Sequence, residues 1–204
     1  MSLPKNWLNC PKHGSLIAGF LPFKVPLKRA YDRNVKHAGG DIFGVRHVLN
    51  LEEELDCKIG MVLDLTNTDR YYDHQTFGKS VDVRKFALEG HGKHPSRQAM
   101  EKIFVAVDRF RENMGDEAVI GIHCTHGFNR TGFVICSYLV ERKGWDVGTA
   151  IDEFAKVRQG GIYRENVVEE LYRRYAPESL GQEYSNSLIW MNRPEFSKPE
   201  WHKE

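Results

Sequence analysis

Long apolar runs are missing from this sequence of 204 residues. No stretch of about 18 apolar residues occurs, so no helical membrane span is expected. The first residues, MSLPKNWLNCPKHG, contain no apolar signal core, and no leader is expected. An excess of one charge is also missing. Lys and Arg total 29 against 28 Asp and Glu, a formal net charge of +1. The molecule is therefore no polycation, and any grip on an anionic polymer has to come from a local patch. Cysteine is sparse: Cys10, Cys57, Cys124 and Cys136 form no CxxC pair and no evenly spaced framework. A reduced, intracellular protein without disulfides is expected. His91 and His94, and the group His123, Cys124 and His126, come without a second ligand pair at finger spacing, so neither a metal nor another cofactor is expected. Repeats and low-complexity tracts are absent too.

What is present suits one domain with a full core: 41 % hydrophobic and 11 % aromatic residues. Residues 1–176 are expected to form that domain. Residues 177–204 are polar, with Pro177, Pro194 and Pro199, yet carry Trp190, Met191 and Trp201. They either pack back on the domain or meet a partner.

Prolines 4, 11, 22 and 26 break residues 1–40, which read as irregular. FLPFKVPL (20–27) reads as extended, because each proline disfavours helix in the residue before it. Residues 41–56 place Ile42, Val45, Val48, Leu49 and Leu55 on roughly one helical face. IGMVLDL (59–65), VDVRKFAL (81–88) and AVIGIHC (118–124) read as strands. Ser96 is placed to cap a helix running to about Asn113, with Met100, Ile103, Phe104, Val107 and Phe110 at helical spacing. Further helices are expected over about 131–143, stopped by Gly144, over 147–158 and over 164–175. This alternation predicts an α/β fold, a central mixed sheet flanked by helices.

The chemistry concentrates in His123-Cys124-Thr125-His126-Gly127-Phe128-Asn129-Arg130-Thr131-Gly132, between a predicted strand and a predicted helix. Five residues between Cys and Arg suffice to curl a loop around one tetrahedral anion, with backbone N–H groups pointing inward. The following helix aims its positive end at the same point. A thiol held there is pushed towards thiolate, which makes Cys124 a nucleophile. Arg130 offers a planar fork to two phosphoryl oxygens. The Thr131 hydroxyl is placed to donate to the sulfur as a phosphocysteine breaks down, and His123 to orient the Cys124 backbone. Thr125, His126, Gly127, Phe128, Asn129 and Gly132 complete the phosphate cradle. For Cys10, Cys57 and Cys136, plain packing or surface positions are expected.

This segment resembles the cysteine phosphatase superfamily, its dual-specificity branch in particular, over about residues 20–175. The resemblance implies the cysteine-phosphatase fold. AIDEFAKVR (150–158) also looks like that branch, which makes Arg158 either a brace of the phosphate loop or an exposed helix-end arginine. Most such phosphatases use an aspartic acid some thirty residues before the cysteine. Here that stretch, FALEGHGKHP (86–95), holds no aspartate, and Glu89 is its sole carboxylate.

That absence is informative about the leaving group. A tyrosine phenol has a pKa of about 10, whereas a terminal phosphate has a second pKa of about 6. Departure of a diphosphate end needs little protonation near neutral pH. HCTHGFNRTGF (123–133), DLTNTDRYY (64–72), WLNCP (7–11), FKVPL (23–27) and GIYR (161–164) together resemble the RNA 5′-triphosphatase domain of animal mRNA-capping enzymes. The resemblance implies metal-free removal of the γ-phosphate from 5′-triphosphate RNA, as the first step of capping. It also implies a nuclear setting and, as partners, a guanylyltransferase domain or the transcription machinery. The guanylyltransferase K-x-D-G motif does not occur in these 204 residues.

By the same resemblance, Asn129 and Asp64 are supporting polar groups. Asp64 is equally readable as a turn residue. Lys24 and Arg70 are either phosphate or RNA-backbone contacts or solvated charges. Tyr71, Tyr72 and Phe128 either stack on a terminal base or pack in the core. Alternative functions are removal of both γ- and β-phosphates, or dual-specificity protein phosphatase action. A phosphoinositide phosphatase would need lysines inside the loop, and a non-catalytic binding module a broken loop.

Overall fold

The apolar runs become four strands, β1 (Phe20–Lys24), β2 (Lys58–Asp64), β3 (Asp82–Lys85) and β4 (Ala118–Cys124). They form one sheet in the order β1-β4-β2-β3. The computed structural model describes residues 1–90, 93–115 and 117–180. Every strand pair in it is parallel, which corrects the expected mixed sheet. Among the described residues, antiparallel pairing is confined to the isolated bridges His13–Phe23 and Ile17–Phe20. The reason is connectivity: each strand is reached by a long crossover rather than a hairpin, and crossovers join parallel neighbours.

The helices are α1 (Asp32–His37), α2 (Val45–Glu54), α3 (Arg97–Met114), α4 (Asn129–Lys143), α5 (Val147–Val157) and α6 (Glu165–Tyr175), with short 3₁₀ turns at Arg29–Tyr31, His74–Phe77 and Pro177–Leu180. Five match the helical periodicities. α1 lies where irregular chain was expected; it has six residues and buries only Val35, too little to leave a period. Local signals act as their chemistry requires. Ser96 Oγ accepts the Ala99 N–H at 3.1 Å, Asp146 caps α5 through the Thr149 N–H at 2.9 Å, and Gly144 ends α4 at φ +70°.

Side chains alternate between the two faces of the sheet. Phe20, Met61, Leu63, Ile120 and Ile122 enter a core shared with α3–α6. Leu21, Phe23, Ile59, Val62 and Val119 enter a second core with α2, Trp7, Tyr31 and Tyr72. Apolar burial on both faces is what a parallel sheet needs. It also puts the carboxyl ends of β1, β2 and β4 at one edge of the molecule, where Lys24, Asp64 and Cys124 stand.

The N-terminal residues are part of this packing. Trp7 is fully buried, and its indole N–H donates to Val25 O at 2.9 Å. Pro4, Lys5 and Cys10 are carried with it as a strap across the ends of the strands. At the other end, Pro177–Leu180 follows directly on α6, and Leu180 packs against the larger core. Trp190, Met191 and Trp201 lie outside the described residues. Replacing Trp7 by alanine is expected to cost about 3–5 kcal/mol of stability, through lost burial and the cavity left behind. The urea midpoint measures this; an unchanged midpoint would show that the strap is not anchored by its indole.

Candidate active site

The loop between β4 and α4 curls back on Cys124. Gly127 makes the turn at φ +75°, a conformation that disfavours other residues. A Cβ there would stand 2.2 Å from Phe23 O, so glycine is also a packing requirement. The Gly127 N–H donates to Cys124 Sγ at 3.3 Å. Gly132 has a different role: a Cβ would lie 2.6 Å from both Ile162 and Phe154, so α4 seats tightly only without one.

Cys124 is buried, and burial alone raises a thiol pKa. The Arg130 charge, the Thr131 hydroxyl and N–H and the His126 N–H outweigh that and bring it from 9.0 down to about 7. The Thr131 hydroxyl is buried and makes no geometrically complete hydrogen bond, although it counts among the groups that lower the Cys124 pKa. By contrast, burial pushes Cys10 up to about 11 and raises Cys136, so neither competes as a nucleophile.

Arg130 is held for its task by main chain. Its Nη1 donates to Leu65 O and Leu88 O at 3.1 and 2.9 Å, and Nη2 donates to Thr125 Oγ1 at 3.1 Å. Arg158 braces the loop from behind. It is 1 % exposed, and it donates to His126 O at 2.8 Å, Pro11 O at 2.9 Å and Gly127 O at 3.3 Å. Its guanidinium also covers the Phe128 ring at 4.3 Å. Arg158 is thus a positioning residue and does not line the cavity. Phe128 is fully buried and is core rather than a stacking platform.

His123 sits beneath the nucleophile, fully buried. Its Nδ1 is 3.1 Å from Cys124 O and its Nε2 2.8 Å from the Tyr72 hydroxyl. Asp64 lies below that, 1 % exposed, and accepts from Thr66 (2.6 Å), His74 (3.0 Å) and Lys85 (3.1 Å). Burial works against its ionised form, but His123, Thr66 and His74 outweigh it and bring the carboxyl to about 2. Asp64 therefore acts on Cys124 only through the His123 layer and does not face substrate. Tyr72 belongs to this layer and is not a stacking residue.

The cavity over Cys124 has a volume of about 290 Å³. Its walls are the loop residues Thr125, His126, Asn129 and Arg130, with Arg70 and Tyr71 on one side and Tyr163, Arg164 and Val167 on another. Pro4, Lys5, Gly90 and Lys93 complete it. Arg70 thus lines the cavity. Lys24 does not: it is 2 % exposed, and its ammonium donates to Trp7 O and Cys10 O, both at 2.9 Å. It also stacks on the Trp7 ring at 3.8 Å. This lysine ties the strap to β1 and is unavailable to a phosphate.

Lys5, Lys93, Tyr163 and Arg164 had no site assignment from sequence. GIYR (161–164) was visible as a motif, and the Arg164 N–H to Asn129 Oδ1 bond at 3.0 Å is what fastens it to the loop. Among the described lining residues none is Asp or Glu, while five are Lys or Arg. Glu89 is exposed and pairs with Lys93; His91 and Gly92 lie outside the described residues.

The arrangement is that of a covalent phosphatase, and comparison with known proteins agrees. The family model for the dual specificity phosphatase catalytic domain matches residues 41–176. The mRNA-capping enzyme of Mus musculus is 41 % identical over 175 residues, covering 85 % of this chain and 29 % of that enzyme. A Caenorhabditis elegans RNA/RNP complex-1-interacting phosphatase homolog is 32 % identical over 184 residues, covering 88 % of this chain and 79 % of its own. The crystal structure of PTPMT1 shares the fold, with a TM-score of 0.57 at 15 % identity over 87 % of this chain and 99 % of that one. The chain spans less than a third of the capping enzymes it matches. It belongs to the dual specificity phosphatase catalytic domain family.

Two outcomes follow from the geometry. Iodoacetate inactivation should rise with pH through a midpoint near 7, because the thiolate reacts and the thiol does not. In Arg130→Met the midpoint should move up towards 9.0; an unmoved midpoint would remove Arg130 as the activating charge. Arg158→Met removes the charged donor from three carbonyls, two of which keep only the weak Cys10 thiol, and should cost roughly 3 kcal/mol of stability, together with a fall in kcat. Denaturation and steady-state kinetics on an aryl phosphate check both.

Proposed function

Taking that family membership as the premise, we propose that the chain is a polynucleotide 5′-triphosphatase that removes the γ-phosphate from triphosphate-ended RNA. One observation carries this reading: five cations and no carboxylate among the described residues that line the cavity. A protein phosphatase acting on phosphotyrosine has to protonate a phenolate of pKa about 10. A diphosphate end, with a second pKa of about 6, departs near neutral pH without a general acid. The cations suit a substrate that brings several phosphates in a row.

The reaction is a double displacement. The Cys124 thiolate attacks the γ-phosphorus; the S–P bond forms as the bond to the β–γ bridging oxygen breaks. The electron pair leaves with the diphosphate end. Arg130 and the loop amides hold the equatorial oxygens, where transition-state charge spreads. Water then attacks phosphocysteine, the S–P bond breaks, and sulfur leaves as thiolate with Thr131 donating to it. The proton from water passes to the freed phosphate or to solvent. Each step is supplied by side chains and amides of this chain.

The names of the relatives support an RNA substrate and a role in mRNA capping. A nuclear setting and a guanylyltransferase acting next on the diphosphate end belong to the same reading. The test compares phosphate release from triphosphate-ended RNA and from phosphotyrosine peptides, both in EDTA. RNA should be faster by at least about a hundredfold, an increment set by one missing general acid. Comparable rates would return the chain to the protein phosphatases. Labelled γ- and β-phosphates decide how far the reaction runs: release of γ alone is expected, and release of β as well would make it a triphosphate-to-monophosphate enzyme.

A further inference from the structure

The net charge of +1 requires any contact with an RNA chain to come from a local patch. On the faces built from α3, α4, α5 and α6, several cations are neutralised in place, while Arg97, Lys102, Arg109 and Lys143 stand apart along α3 and at the end of α4. Arg142 pairs with Glu101 and Asp108, Lys156 with Glu153, and Arg173 and Arg174 with Glu170. The segment 28–37 concentrates its cations. Lys28, Arg29, Arg33 and Lys36 fall within ten residues that hold a single acid, Asp32. Arg29, Arg33 and Lys36 are exposed and Lys28 is half-buried. Among the described residues none of the four pairs with a carboxylate.

This segment is joined to the catalytic cavity on two sides. The Lys28 N–H donates to Tyr71 O at 2.7 Å, and the Tyr31 hydroxyl donates to Arg70 O at 3.4 Å. Tyr71 and Arg70 are cavity walls. On the other side Asn34 Nδ2 donates to Met1 O at 2.8 Å, which ties α1 to the start of the strap that carries Pro4 and Lys5 into the cavity. The whole segment precedes residues 41–176, the part matched by the family model.

We propose that Lys28, Arg29, Arg33 and Lys36 form a docking surface for the sugar–phosphate backbone of single-stranded RNA, whose 5′ end enters the cavity past Arg70 and Lys5. The proposal rests on the triphosphatase reading for the direction of the strand. RNA is favoured over an acidic protein because the cations lead into a cavity that itself takes phosphates, so one continuous polyanion satisfies both. Backbone contacts of this kind carry affinity without sequence preference and weaken with salt.

The test replaces all four residues by glutamine, leaving Arg70 and Lys5 in place. Binding is read by fluorescence anisotropy on a single strand of about 15 nucleotides, a length within the usual footprint of such surfaces. The strand carries a 5′-hydroxyl, so the readout does not depend on triphosphatase activity. Binding should weaken by at least about tenfold at low salt, and the slope of log affinity against log salt should flatten by about 3, from four lost contacts. With triphosphate-ended RNA of the same length KM should rise, while hydrolysis of a nucleoside triphosphate stays within about twofold. Unchanged affinity and salt slope would overturn the proposal, as would an equal loss on the nucleoside triphosphate. Failure of the wild type to hydrolyse triphosphate ends would instead overturn the catalytic reading, with the hydroxyl-RNA result still deciding the docking surface.

Discussion

A sulfur anion held in a ring of amides is the interaction on which the rest of this structure depends. Cys124 is buried, and an isolated buried thiolate would be strongly disfavoured. It becomes accessible near neutral pH because the Gly127 N–H points at it, the His126 and Thr131 N–H groups face it, and Arg130 stands beside it. That ring exists only while Gly127 keeps φ +75° and its carbonyl turns outward, and Arg158 receives the outward carbonyls. A fully buried arginine is costly on its own. Here its donors meet the His126 and Gly127 oxygens that the loop's curvature turns outward, so the two needs answer each other.

The fold serves that ring from three directions. The sheet brings the ends of β1, β2 and β4 together, with Lys24 level with Cys124 and Asp64 level with His123 in the strand register. Each of these charged residues is fixed by polar partners and supports the loop without touching substrate. The Asp64, His74, Lys85, Tyr72 and His123 layer fixes the strand end beneath the nucleophile. The strap closes the other side, with the Lys5 carbonyl 2.8 Å from His126 Nε2. Buried charge is thus concentrated behind the cavity, and the cations that line it stand in front.

The catalytic loop was legible in the sequence because its chemistry is local. Cys124, Gly127, Arg130, Thr131 and Gly132 act through backbone geometry that ten consecutive residues define. The helices with an apolar stripe and a cap, such as Ser96 before α3, were legible for the same reason. What failed was the placing of single charges. Lys24 and Arg70 look alike in a sequence, yet one is sealed under Trp7 and the other faces the cavity; burial is decided by residues far away in the chain. Asp64, at the end of a strand, could reach either side, and the Thr66, His74 and Lys85 contacts that fix it come from three separate segments. Lys5, Lys93 and Arg164 converge only after folding. The parallel sheet needed knowledge of which strands neighbour each other, and α1 was too short to show a period.

The central claim is that phosphate passes through Cys124. Rapid acid quench of the enzyme mixed with γ-labelled triphosphate RNA measures it most directly. The account predicts transient label on the protein, confined to the peptide that contains Cys124, with none from α-labelled RNA and none in Cys124→Ser. Phosphate release at an undiminished rate by Cys124→Ser, with no labelled protein at any quench time, would contradict it.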